Sequence, residues 1–452
     1  MSCAQASSVV PIQEATAKSR KGSRAVVQSI ANKALILGLQ AATGILTARE
    51  LLPWGRGELA AMILWPLFVA SVTTLGIPSS LIFYLRHRPE EKNRLIANGF
   101  LMAAILGVLA ALVATMVLPW WLRQYSPSIV HAAQWFLITV PLCSITLAGR
   151  AALEASHDFT ASNAIQTLTP FATLIGLLVF LAVGHFNPYT AAISYIAASI
   201  PAFWLMAYRV HRVCHKPARP QIAVMRRILS YGVRSYGIDL LGTLALQVDQ
   251  VLVVSLLSPG AMGSYVVVLS LSRMLNLFQN SVVMVLFPKA AGRPVGEVVS
   301  LTGVCVRISS MATAICGVMV CLTGPTLLRF LYGREYVAAA GALRILVIEV
   351  VLSGATFVLA QSFMALNRPG VVTVLQAIGL SLSIPMMLVL IPRFGIYGAA
   401  VSLLTSTVAR LIFVYAGFRI FLKTKPPSLL PAVGDIRMLW SCMMGWRLER
   451  AA

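Results

Sequence analysis

Long, unbroken apolar runs decide what this chain can fold into. A helix needs about 20 mostly apolar residues to cross a hydrocarbon layer. Runs of that length recur at 26–48, 58–84, 95–119, 130–153, 161–184, 189–209, 229–257, 262–287, 299–323, 340–364, 370–391 and 396–421. Turn-forming pairs separate them, among them Leu52-Pro53, Arg88-Pro89, Asn187-Pro188, Ser258-Pro259 and Pro392-Arg393. The runs are continuous rather than alternating, which disfavours the strands of a β-barrel. Composition closes the case. Only 11% of the 452 residues are charged, about half the share of a soluble protein. The expected fold class is therefore an all-α integral membrane protein with twelve transmembrane helices.

The charge balance follows from topology. Lys and Arg total 36 against 14 Asp and Glu, a net charge of +22, which in a soluble chain would suggest nucleic acid. Placed against the twelve spans with the N-terminus inside, twenty basic residues fall in inner segments. Only six fall in outer ones, namely Arg49, Arg56, Arg123, Arg329, Arg334 and Arg393. That bias predicts N-in and C-in and attraction to anionic inner-leaflet lipid, with no nucleic-acid partner. The polar start, with Lys18, Arg20, Lys21 and Arg24, has no short apolar core and reads as a cytoplasmic tail, not a secretory signal. The seven cysteines show no CxxC spacing and mostly lie in apolar runs, as small hydrophobes do. His211, Cys214 and His215 have no further ligands nearby in sequence, so no metal site is expected. Residues 436–446 are too short to span; an interfacial helix and an unstructured tail both fit them.

The two halves repeat each other. Leu51-Leu52-Pro53-Trp54-Gly55-Arg56-Gly57 recurs as Leu256-Leu257-Ser258-Pro259-Gly260-Ala261-Met262-Gly263. Tyr189-Thr190-Ala191-Ala192-Ile193-Ser194 recurs as Tyr397-Gly398-Ala399-Ala400-Val401-Ser402, and Gln166 matches Gln376. Six spans per repeat give a parallel duplication about an axis along the membrane normal. The expected organisation is a tail (1–25), an N-lobe (26–209), a basic cytoplasmic linker (210–228), a C-lobe (229–421) and a C-terminal tail (422–452).

Ionisable and amide side chains inside the spans mark the functional candidates, because each costs about 2.5–3.5 kcal/mol at the bilayer centre unless partnered or wetted. Lys33 and Gln40 share a face of the first span. Asp239, Gln247 and Asp249 lie in the seventh span; Arg273, Asn276 and Asn280 follow one face of the eighth. Arg150 with Glu154 forms an i,i+4 pair in the fourth span, and Glu349 lies in the tenth. Lys33 and Arg273 have polar neighbours on their own faces and no acid one turn away, so a hydrated cavity is the expected location. Lys33, Gln40, Gln247, Arg273, Asn276 and Asn280 are the candidate substrate-binding residues; Asp239, Asp249, Arg150 and Glu349 are candidates for coupling or structure. Every acid in the N-terminal half lies in a tail, a loop or a helix end. Fixed cations with few acids suit a phosphate or diphosphate group rather than an organic cation. No nucleotide motif and no catalytic constellation appears, and the outer connections are short, so neither an enzyme nor a cofactor is expected.

Several segments resemble a known family in order and spacing. Ala48-Arg49-Glu50-Leu51-Leu52-Pro53-Trp54-Gly55-Arg56-Gly57-Glu58 is similar to the stretch after the first helix of bacterial polysaccharide flippases. Val248-Asp249-Gln250-Val251-Leu252 through Gly263-Ser264-Tyr265 resembles their seventh-helix signature. Leu286-Phe287-Pro288-Lys289, Leu331-Tyr332-Gly333-Arg334-Glu335-Tyr336 and Ile391-Pro392-Arg393-Phe394-Gly395 continue the pattern, which covers roughly residues 25–420. The family is the oligosaccharide-flippase branch of the multidrug/oligosaccharidyl-lipid/polysaccharide exporter superfamily. The resemblance implies a two-lobe, V-shaped transporter in a bacterial cytoplasmic membrane. It also implies a polyprenyl-diphosphate-linked glycan as substrate, membrane lipid and polysaccharide polymerase machinery as partners, and a monomer. It places Asp249 on the family aspartate. A drug antiporter of the same fold, a lipid II flippase and a membrane glycan polymerase or ligase are the competing readings.

Overall fold

The computed structural model describes residues 12–214 and 219–429, and every regular element among them is helical. The first half holds α1 (Ile12–Val72), α2 (Ile77–His87), α3 (Lys92–Trp121), α4 (Pro127–Phe136), α5 (Val140–Ala155), α6 (Phe159–Ala182), α7 (Pro188–Ala197) and α8 (Ser199–Val213). The second holds α9 (Ile222–Leu256), α10 (Pro259–Arg273), α11 (Asn276–Ala290), α12 (Val295–Leu331), α13 (Ala340–Ala365) and α14 (Pro369–Phe421). Residues 436–446 lie outside the described residues.

Among the described residues nine helical segments are long and apolar enough to cross a membrane. They become ten when α10 and the first part of α11, bent by 43°, are taken as one span. Two of these segments are broken inside. At about 1.5 Å per residue, the 61-residue α1 would run three times the roughly 30 Å of a hydrocarbon core. It turns instead at Leu52 (φ 57, ψ 175), where Pro53 offers no amide hydrogen and drives the preceding residue out of the helical region. In the same way α14 turns at Gly395 (φ 58, ψ −134), shortly after Pro392. Both breaks fall where the sequence separates adjacent spans. The expected twelve crossings are reached only by reading α1 and α14 as two each.

Lipid explains the surface. Met116 is 82% exposed and Leu322 77%, values that belong to side chains facing hydrocarbon rather than water. Inside, the buried side chains form three clusters. One large core joins both halves, with Leu51, Leu59, Leu122 and Ile129 from the first and Val253, Tyr265, Tyr336 and Leu343 from the second. Of two smaller cores, one reaches across only to the start of α9 and the other stays within the second half. Ile77, Leu95, Leu153 and Met206 cluster with Val224 and Ile228 at the start of α9; Leu286, Val306, Phe363 and Phe418 cluster within the second half. The halves are thus fused broadly at the end holding the Leu52 and Ser258 turns and joined only through the start of α9 at the other.

The fused end is built by the repeated motif itself. A Cβ on Gly57 would lie 1.8 Å from the carbonyl oxygen of Pro259, and one on Gly263 would lie 1.9 Å from that of Pro53. Two matching glycines therefore let two matching helix starts meet main chain to main chain. Polar clasps reinforce the junction. Arg49 donates through Nε to the carbonyl of Leu331 at 2.8 Å and through Nη2 to that of Phe330. Tyr336 donates to the carbonyl of Ala48 at 3.1 Å, and Trp121 to that of Val251 at 3.1 Å.

Candidate functional site

Five of the sequence-derived candidates meet in one place. Lys33 and Gln40 of α1 and Arg273, Asn276 and Asn280 at the α10–α11 bend line a single cavity of about 290 Å³. The bend explains the convergence. α10 ends at Arg273 and α11 restarts at Asn276, so one straight helical face is folded around the opening. Gln166 of α6 joins them. Sequence reasoning missed it as a lining residue, although its match to Gln376 had already marked it. Next to the cavity, Thr167 donates to Asn32 Oδ1 at 2.8 Å and ties α6 to α1.

The two cations differ in their surroundings. Lys33 is exposed, and among the described residues no carboxylate lies within ion-pair distance of it. Arg273 has no acid one turn away along its own helix but meets one on a neighbouring helix. Its Nη2 lies 3.0 Å from Asp249 Oδ2, and its Nη1 donates to the carbonyl of Leu246 at 3.1 Å. The acid comes from the neighbouring helix α9, which periodicity along α10 alone cannot reveal. Asp249 is 1% exposed against 32% for the arginine side chain, so the carboxylate anchors the guanidinium from behind while its other edge stays at the cavity. Tyr265 donates to the same Oδ2 at 2.9 Å. A guanidinium has five N–H donors, so two such bonds leave others free to bind an anion.

Gln247 is not brought to this cavity. With Gln250 it lines a second one of about 200 Å³, opposite Arg56, Ala60, Ile63, Leu64 and Leu67 of α1. The other polar candidates are engaged in partnerships away from the Lys33 cavity. Asp239 accepts from Ser79 at 2.7 Å. Arg150 lies 3.8 Å from Glu154, and Ser162 donates to that same carboxylate at 2.6 Å. Glu349 accepts from Thr407 at 2.7 Å, and Arg410 donates to Thr407 at 2.9 Å, linking α13 to α14.

At another seam α2 meets α9 tightly. A Cβ on Gly76 would lie 2.3 Å from the carbonyl oxygen of Gly232. Ser80 donates to the carbonyl of Ile228 at 2.9 Å, Tyr236 donates to that of Val72, and Arg227 pairs with Glu91 at 2.8 Å. Further along lies an apolar crevice of about 680 Å³, lined by Trp65, Phe68 and Val113 on one side and Tyr236, Leu244 and Ile384 on the other. The molecule thus offers a small polar chamber with fixed positive charge, separate from a larger hydrocarbon-lined one.

Comparison with known proteins gives this geometry a context. The family model described as "Polysaccharide biosynthesis protein" matches residues 27–291, a stretch containing all of the residues around the Lys33 cavity. No curated protein matches the chain by sequence. Among solved structures, the lipid II flippase MurJ in an inward closed conformation superposes with a TM-score of 0.72 at 14% identity, covering 87% of each chain. An inward-facing multidrug resistance MATE family transporter of the MOP superfamily gives 0.69 at 14% identity, covering 86% of this chain and 94% of that one. A MOP superfamily transporter from Pyrococcus furiosus, whose binding pocket is described as having reverse polarity, gives 0.61 at 14% identity over 88% and 94%. At such identities the likeness defines the fold: that of the MOP-superfamily transporters.

Proposed function

Since this chain belongs to the polysaccharide biosynthesis protein family, we propose that it is a flippase. It moves an undecaprenyl-diphosphate-linked oligosaccharide from the inner to the outer leaflet of a bacterial cytoplasmic membrane by alternating access. The observation that carries this reading is the chamber in which Lys33 and Arg273 converge with four amide side chains. With the N-terminus inside, the end where the halves meet only through the α2–α9 seam faces the cytoplasm and the Gly57–Gly263 seam closes the outer side.

The chemistry follows from the donors present. A diphosphate oxygen 4 Å from a cationic nitrogen gains about 4 kcal/mol at an effective dielectric of 20, enough to offset part of the cost of leaving water. Lys33 supplies an ammonium with no competing acid. Arg273, held by Asp249, supplies a planar donor fork in a fixed orientation. Gln40, Gln166, Asn276 and Asn280 give the first sugar both donors and acceptors. The prenyl tail stays in hydrocarbon, and the apolar crevice extends that hydrocarbon between the halves. Opening of the outer seam then releases the glycan outward.

The test is export of the glycan in cells carrying Lys33→Ala, Arg273→Ala or both. Each single variant should stop export at normal protein level, with lipid-linked units trapped on the inner leaflet. Full export by the double variant would remove the anion chamber from the mechanism. Drug resistance on overexpression with unaltered surface glycan in a deletion strain would favour an antiporter instead. Arrest of peptidoglycan synthesis would favour lipid II as the cargo.

A further inference from the structure

Among the described residues Arg56 is an unusual charge. Its residue is 7% exposed, yet its buried Nε and Nη1 have no hydrogen-bond partner, and among the described residues no carboxylate lies within 4 Å of its guanidinium. Its positive charge acts on the phenols of Tyr332 and Tyr336, and the Tyr336 hydroxyl is already committed to the carbonyl of Ala48. A buried guanidinium without a counter-charge is costly. A site that holds one open needs an anion from elsewhere.

The cavity it lines is placed to receive one. Arg56 sits beside Gly57, directly at the outer seam, with Gln247 and Gln250 across from it. A row of neighbouring chambers with shared wall residues lies between this point and the Lys33 cavity. The Lys33 chamber shares Gln40 with a third cavity of about 320 Å³ that includes Thr43, Thr139, Thr169 and Thr173. That cavity in turn shares Ile63 and Leu67 with the Arg56 chamber. Chambers carrying hydroxyl or amide groups therefore lie in sequence between one cation and the other, the last of them at the closed seam.

We infer that Arg56 is a second anion-binding residue, which takes over the substrate's diphosphate as it leaves Lys33 and before the outer seam releases it. The inference rests on the flippase reading for the identity of the anion. It does not need that reading for the site itself.

Titration of purified full-length protein with inorganic pyrophosphate tests it. Lys33→Gln should retain binding that Lys33→Gln/Arg56→Gln loses by about tenfold or more, the worth of one charge-assisted hydrogen bond. Lys33→Gln/Arg56→Lys should retain most of it. Equal binding by Lys33→Gln and Lys33→Gln/Arg56→Gln would overturn the inference and leave the export test of Lys33 and Arg273 untouched. Conversely, normal export by the Lys33→Ala/Arg273→Ala variant would sink the flippase chamber without altering the pyrophosphate titration. A structural role is separated by Arg56→Met. Removing an unpaired buried charge should leave the melting temperature in pyrophosphate-free buffer equal to or above that of the wild type. A lower melting temperature, or failure to accumulate, would make Arg56 a packing residue and refute the assignment.

Discussion

Replacing Gly57 by alanine should force the halves apart where the repeated motif meets itself. The new Cβ would lie 1.8 Å from the Pro259 carbonyl oxygen, whereas ordinary contact begins near 3.4 Å. The helix start must retreat by about 1.5 Å, and the atom it meets is main chain, which cannot rotate out of the way. Overpacking of this kind costs about 1–3 kcal/mol. Because the strain exists only while the seam is closed, the same energy shifts the closed-to-open equilibrium by about 5- to 150-fold. A cysteine at Gln250, introduced after replacing the native cysteines, would report this shift through its labelling rate with a membrane-impermeant maleimide on intact cells. Gly57→Ala should raise that rate by the stated factor. Gly44→Ala should not, because nothing lies within 4 Å of its Cβ position. Gly263→Ala, whose Cβ would meet the Pro53 carbonyl oxygen, should act like Gly57→Ala, and the pair should be less than additive because both force open the same seam. Unchanged labelling of Gly57→Ala at normal protein level would refute the seam as the outer seal.

Asp249→Asn should destabilise the protein by roughly 3 kcal/mol, because it strands Arg273 beside a buried amide. Thermal unfolding in detergent measures it, and adding Arg273→Gln should recover much of the loss; no recovery would mean that Asp249 acts through Tyr265 instead. Leu52→Gly should stabilise. Leu52 holds a positive φ at 49% exposure, a strain of about 1–3 kcal/mol for a side chain against a glycine entropy cost of about 0.5–1 kcal/mol. A lowered melting temperature would show that the Leu52 side chain contributes more by packing than its backbone loses in strain.

The sequence alone determined the membrane class, the helical secondary structure, the duplication and the polar residues that could not face lipid. These follow from run length, from Pro and Gly punctuation and from the cost of burying charge, all of them local properties. It also marked Leu52-Pro53 and Gly395 as break points. What it could not determine was partnership across helices. Nothing along α10 announces that Arg273 is held by Asp249 of α9, and nothing in a predicted outer loop announces that Arg56 is buried without a partner. Gln247 and Asn276 lie on adjoining spans and carry the same amide group, yet they line different chambers, because only the relative rotation and bend of packed helices sets where a side chain points. The same packing turned two repeated glycines from a sequence echo into a main-chain seam, since a contact between distant segments exists only once both have been placed.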